Sequence, residues 1–170
     1  MRRPTVWAWA DESGRRTPRQ VERGRGRSSP AGTRRILVVD DEQSVRMICR
    51  FNLVAAGIDV REAGDGDEAL AAVRESPPDL VLLDVMMPTR DGWEVADELR
   101  RDPRTRDIPI VFLTARVEQA DRQHAHELGA VGYIVKPFDP IGLAATLETI
   151  LERVERGERE ELRRELLASD

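Results

Sequence analysis

The 170-residue chain holds one cysteine, Cys49, one lysine, Lys136, and no long apolar run. A single cysteine cannot close an internal disulfide and cannot build a zinc site alone. No apolar stretch reaches the ~18 residues that a membrane-spanning helix needs. Met1-Arg2-Arg3-Pro4 begins like a secretion signal. The apolar segment Val6-Trp7-Ala8-Trp9-Ala10 that follows is shorter than the ~7–15 residues of a signal core. These absences predict a soluble, cytoplasmic protein with no membrane contact. The lone lysine is a selective absence, because the other 26 of the 27 basic residues are arginine.

What is present is a globular composition with an uneven charge. The length fits one domain with tails. Apolar residues make up 40% of the chain, enough for a sizeable core. The net charge of −5 hides a split. Residues 1–35 carry ten arginines against Asp11, Glu12 and Glu22, so this part stands at +7 and the remainder at −12. Residues 1–33 include the low-complexity stretch Arg23–Gly32, which lacks large apolar side chains and is expected to stay disordered. Such an Arg-Gly leader can hold nucleic acid through phosphates, or fold back on the acidic body. A solvated basic tail outweighs both readings, so nucleic acid is not the expected partner. Trp7 and Trp9 fit a partner anchor and a passenger segment equally.

From residue 34 the pattern alternates strand and helix. Ile36–Val39, Leu80–Leu83 and Ile110–Leu113 are continuous apolar runs, as in strands buried on both faces. Ile58-Asp59-Val60-Arg61 and Val131–Val135 are diluted by polar or small residues, as at sheet edges. Between them lie apolar positions at helical spacing: Val45, Ile48, Phe51 and Val54; Ala69, Leu70 and Val73; Val95, Ala96 and Leu99. A polar helix is expected near 117–127, and Leu143, Leu147, Ile150 and Val154 mark a last amphipathic one. Five β–α units predict an α/β fold, a flavodoxin-like doubly wound five-stranded parallel sheet of order 2-1-3-4-5 with helices on both faces. The domain spans 34–155. Residues 156–170 mix Glu and Arg, and Gly157 breaks the apolar spacing, which predicts a charged, solvated helical extension. Those 15 residues are too few for a helix-turn-helix or an enzymatic output domain.

Polar residues follow the carboxyl ends of four strands: Asp40 and Asp41, Asp84, Thr114 and Lys136. In an open parallel sheet these ends share one rim, and ligands bind where strand order reverses. The reversal lies between strands one and three, which carry the aspartates. Three gathered carboxylates raise one another's proton affinity, and a hard divalent cation relieves this. Magnesium suits a few carboxylates with waters and a phosphate oxygen. With an ammonium and a hydroxyl beside it, the rim reads as a phosphoryl site, by transfer to a carboxylate or by binding of a phosphorylated ligand.

Each motif alone is weak; an Asp-Asp after a strand is usually turn or cap chemistry. Their joint order is specific. Ile36–Glu42, Leu82–Pro88, Asp91-Gly92, Phe112–Ala115, Leu128–Ala130 and Tyr133–Phe138 together resemble the receiver domain of two-component response regulators, in particular the stand-alone, chemotaxis-like form. The resemblance implies that Asp84 is the phosphoacceptor for a sensor histidine kinase or phosphotransfer protein. It implies that Asp41, Asp84 and the backbone carbonyl of Met86 ligate Mg²⁺, with Asp40 acting through water. Thr114 and Lys136 would contact the phosphoryl oxygens, Lys136-Pro137 would be cis, and Tyr133 would be the aromatic switch. Output would pass to a downstream protein on the face of helix 4, strand 5 and helix 5, or along a phosphorelay. Arg116 would stand beside the site. The implied protein is a switch and not a turnover enzyme. Alternatives are a degenerate, unphosphorylated receiver scaffold, and nucleic-acid binding by the leader. A magnesium-dependent aspartyl phosphatase is weaker, because Met86 stands where a second aspartate is needed. His124 and His126, two apart on a helix, read as surface residues. Cys49 and Trp93 read as packing residues.

Overall fold

The computed structural model describes residues 32–115 and 118–168. Most of the leader, Trp7 and Trp9 included, and Arg116 lie outside them. Five strands, β1 (Arg35–Val39), β2 (Asp59–Ala63), β3 (Leu80–Asp84), β4 (Ile110–Thr114) and β5 (Gly132–Val135), form one parallel sheet of order β2-β1-β3-β4-β5. Every residue of β3 and β4 is buried, while β2 alternates and β5 is half-exposed. The apolar content of each strand therefore sets its place, with continuous runs in the centre and diluted ones at the edges. The expected sheet order is the observed one.

Six helices complete the fold: α1 (Gln43–Ala55), α2 (Gly66–Glu75), α3 (Gly92–Arg101), α4 (Gln119–Glu127), α5 (Pro140–Glu155) and α6 (Arg159–Ala168). Aspartates cap three of them. Asp65 accepts the Glu68 N–H at 2.8 Å, and Asp139 accepts the Ile141 and Gly142 N–H groups with Pro140 in the first turn. Asp91 and Glu94 form a reciprocal capping box at the start of α3. The helices cover both faces of the sheet. One core layer joins Leu37, Val39, Leu83 and Phe112 to Val73, Val95 and Leu99. The other joins Ile36, Val38, Leu82 and Leu113 to Leu53, Leu143 and Leu147. Cys49 belongs to the second layer, and burial pushes its thiol up to about 11, as for a packing residue.

The C-terminal segment departs from the solvated extension expected of it. Gly157, at φ +84°, follows Arg156, the residue that caps α5, in a left-handed turn. Its N–H donates to the Val154 carbonyl and the Glu158 N–H donates to the Arg153 carbonyl, which is a Schellman closure. The chain doubles back, and α6 packs on α4, α5 and β5. Leu162 and Leu166 are each 6% exposed. Leu162 joins one core layer and Leu166 the other, so α6 lies across the edge of the sheet. Burial of a leucine stabilises by roughly 1.5–3 kcal/mol, and a covered edge is closed to unwanted strand pairing. Arg153 fastens the helix through two bonds to Glu165, each 2.7 Å.

Candidate functional site

Strand register builds the rim. Val39 pairs with Leu83, so Asp40, one residue later, stands beside Asp84 at the end of β3. Thr114 ends β4 and pairs with Val135 of β5, and Lys136 follows. A carboxylate oxygen of each of Asp40, Asp41 and Asp84 lies within 4.8 Å of the others. Asp40 is fully buried, Asp84 is 2% exposed, and Asp41 is open to solvent. The Lys136 ammonium reaches Asp40 at 2.7 Å and Asp84 at 3.5 Å. Thr114 is buried on the same rim, and its carbonyl accepts the Lys136 N–H at 2.7 Å. The Lys136-Pro137 bond is cis, as expected.

The electrostatics follow from this packing. Burial, reinforced by the charge of Asp40, pushes the Asp84 carboxyl up to about 6. Lys136 and the Met86 N–H, which donates to Asp84 at 3.3 Å, oppose that rise without cancelling it. Burial alone would lower the Lys136 pKa, but the bond to Asp40 and the charges of Asp40 and Asp84 raise it. The ammonium therefore stays charged. One cation among three carboxylates leaves a net negative pocket, which is the donor chemistry that a hard divalent cation fits. An exposed carboxylate, two buried ones and a nearby backbone turn match such an ion better than a closed cage does. Met86 is 72% exposed at the pocket mouth.

Two supporting features were not singled out from sequence. Arg46, one turn into α1, donates to the Asp40 carbonyl at 2.7 Å and holds the Asp40–Asp41 loop. An arginine on a helix carries no signal of that role. Gly92 lies under Asp84: a Cβ there would come within 2.2 Å of the Asp84 carbonyl oxygen. Only glycine lets α3 start so close to the end of β3. It was visible in Asp91-Gly92 as a motif, but not as a contact.

Tyr133 is half-buried on β5. Its ring stands 5.8 Å from Phe112 and 6.5 Å from Trp93, and its hydroxyl donates to the Asp121 carbonyl at 3.4 Å. His124 packs edge-on against Trp93 at 4.8 Å. Both histidines keep the surface character read from their spacing, and neither joins the rim. Among the described residues no helix is long and apolar enough to cross a membrane.

The comparisons with known proteins agree with this architecture. Residues 36–148 match the response regulator receiver domain. The chain is 47% identical over 122 residues to a probable transcriptional regulator, ycf27, of Porphyridium aerugineum, covering 72% of this chain and 50% of that one. It is 44% identical over 122 residues to the alkaline phosphatase synthesis transcriptional regulatory protein PhoP of Bacillus subtilis, again 72% of this chain and 50% of the other. The chain thus spans about half the length of these curated relatives. Among solved structures, the chemotaxis protein CheY4 of Vibrio cholerae superposes with a TM-score of 0.67 at 35% identity, covering 69% of this chain and 98% of its own. Sheet order, rim and relatives converge: the chain belongs to the response regulator receiver domain family of two-component signal transduction.

Proposed function

We propose that Asp84 accepts a phosphoryl group and that the protein is a phosphorylation-controlled switch acting through protein contacts or a phosphorelay. The observation that carries this is the buried Asp84 carboxylate flanked by Asp40, Asp41 and the chain's only lysine. A carboxylate oxygen of Asp84 attacks phosphorus as the bond from phosphorus to the donor imidazole nitrogen breaks. The electron pair of that bond leaves with the imidazole of a histidine kinase or phosphotransfer protein. Lys136 already spans Asp40 and Asp84 and is placed to neutralise a phosphoryl oxygen, and the Thr114 hydroxyl donates to another. Asp41, Asp84 and the Met86 carbonyl would hold Mg²⁺, with Asp40 reaching it through water; when bound, the ion offsets carboxylate and phosphoryl charge. Self-dephosphorylation by water completes the cycle, without turnover of a separate substrate.

The rim opens beside an apolar strip on α1. Met47 is 60% and Phe51 77% exposed, and Ile48, Pro137 and Phe138 line a cleft that Lys136 shares. A phosphodonor protein must approach over this edge, and such a strip suits a helical partner. Readout begins at Thr114 and Tyr133, which lie on adjacent strands. The face of α4, β5 and α5 is partly covered by α6, so a downstream protein reads α6 with it.

The test is incubation of the protein with acetyl phosphate and Mg²⁺, followed by intact-mass measurement. One added phosphoryl group, sensitive to hydroxylamine and absent in Asp84→Asn, is the expected result. No adduct with any donor would make the protein a fixed scaffold, and steady release of phosphate from small esters would make it a phosphatase.

A further inference from the structure

The opposite end of the sheet carries a second charged site. There Arg100, near the end of α3, Arg106 and Asp107, ahead of β4, Gly129, ahead of β5, and Arg159 and Arg163 of α6 line one cleft of about 330 Å³. Four guanidinium groups share it with one carboxylate. The body of the chain is acidic, and most described arginines find a carboxylate. Arg74 and Arg90 share Glu98, Arg104 takes Asp102, and Arg153 takes Glu158 and Glu165. Among the described residues, Arg100, Arg106 and Arg159 form no such ion pair. Arg159 instead donates to the Asp107 carbonyl at 2.6 Å, and Arg163 to the His126 carbonyl at 2.9 Å and to Glu160 at 2.7 Å. The Nε of Arg163 is buried and has no hydrogen-bond partner. Two arginines are thus pinned in place, two are free to close, and one buried donor is unsatisfied.

We propose that this cleft binds a phosphate chain, the linked phosphates of a nucleoside diphosphate or of a polyphosphate. Guanidinium forks match phosphate oxygens in pairs. A single phosphate would leave part of a four-arginine set unpaired, whereas two linked phosphates offer oxygens to all of them. Two of the four arginines come from α6, so the ligand would also clamp α6 to α3 and the α4–β5 connection. The site is separate from Asp84 and stands without the phosphoacceptor reading.

The probe is inorganic pyrophosphate, added to the full-length protein without Mg²⁺ at about 0.15 M ionic strength, where weak surface attraction is largely screened. Nitrogen-15 NMR would follow the Gly129 amide and the Arg163 Nε–H. Saturable shifts of both, weakened about tenfold or more in the double variant Arg100→Ala, Arg106→Ala, are expected. That variant should keep the amide spectrum of the parent outside the cleft, which shows that it is folded. Tighter binding of ADP than of tripolyphosphate would assign a nucleotide and the reverse a phosphate chain; either supports the site. Shifts confined to the arginine-rich leader, an unchanged response in the double variant, or an equal response to sulfate at matched ionic strength would each overturn it.

Discussion

The two ends of the β-sheet collect opposite charge and hold it in opposite ways. At the carboxyl ends of the strands, Asp40 and Asp84 are buried and share one ammonium. At the amino ends, Arg100 and Arg106 stand exposed around a cleft, and neither engages a carboxylate. The difference is one of solvent. Buried charges act on one another strongly, so the rim is coupled, pH-sensitive and suited to chemistry. Exposed charges are screened and cost little, so the cleft can be populated with arginine and suits reversible binding.

Removing one cation from each end should break this symmetry most sharply at the rim. Lys136→Ala leaves Asp40 fully buried, with the Glu42 N–H at 2.9 Å as the donor that remains to its carboxylate among the described residues. Uncompensated buried charge costs about 3–5 kcal/mol. Urea unfolding at pH 7.5 without Mg²⁺ should show a loss of that order, reduced by saturating Mg²⁺. A loss below about 1 kcal/mol would mean that the lysine does not hold the buried carboxylate.

The acidic side of the rim should respond in the other direction. Burial and Asp40 hold the Asp84 carboxyl at about 6, above its ordinary 3.8. The folded state therefore binds a proton more tightly than the unfolded one, and stability contributed by that proton is present at low pH and lost as pH rises from about 4 through 6. Asp84→Asn removes the penalty, worth on the order of 2–3 kcal/mol. Without Mg²⁺ the variant should be the more stable protein at pH 7.5, and the gap should close towards pH 4. An equal gap at both pH values would separate it from Asp84 ionisation.

Much of the rim was readable from sequence, and none of the cleft was. Continuous apolar runs ending in Asp, Thr or Lys identify central strands and their carboxyl ends, and a parallel sheet places those ends together whatever their separation along the chain. The periodicity of α2, α3 and α5 was equally direct, whereas in α1 the spaced Ile48, Phe51 and Val54 lie exposed and Cys49 and Leu53 face the core. The cleft has no such rule, since its arginines come from three segments with no common spacing. It also depends on α6, whose Leu162 and Leu166 are diluted by charges. Gly157 was read as a break in helical spacing; in the fold it is the left-handed residue that turns the chain back. A glycine at that position is consistent with an end or with a reversal, and only the burial of the leucines decides between them.

That dependence gives a smaller test of the same contrast. Leu166→Ala opens a void under α6, at the low end of the ~2–5 kcal/mol typical of buried leucines because the helix is peripheral. About 2 kcal/mol should be lost in urea unfolding. The pyrophosphate response at Gly129 should weaken, while uptake of phosphoryl from acetyl phosphate persists, because Leu166 seats α6, which carries Arg159 and Arg163 into the cleft, and is not part of the rim. Loss of both together would show that α6 supports the whole domain and not its amino end alone.

The smallest expected effect is the most discriminating one. Arg100→Ala with Arg106→Ala deletes two positive charges, one more than Lys136→Ala, yet neither guanidinium is buried or paired. Exposed charges contribute ~0–1 kcal/mol even when paired, and like charges sharing a cleft repel. Unfolding of the double variant should fall within about 0.5 kcal/mol of the parent at 0.15 M salt, tending to higher stability at low salt, where repulsion among the four arginines is least screened. Adding pyrophosphate should then stabilise the parent and leave the variant unmoved, since only a ligand bound to the folded state shifts the unfolding equilibrium. A large destabilisation instead would place these arginines among the structural supports of the fold, and the contrast between a coupled rim and a loosely held cleft would fail.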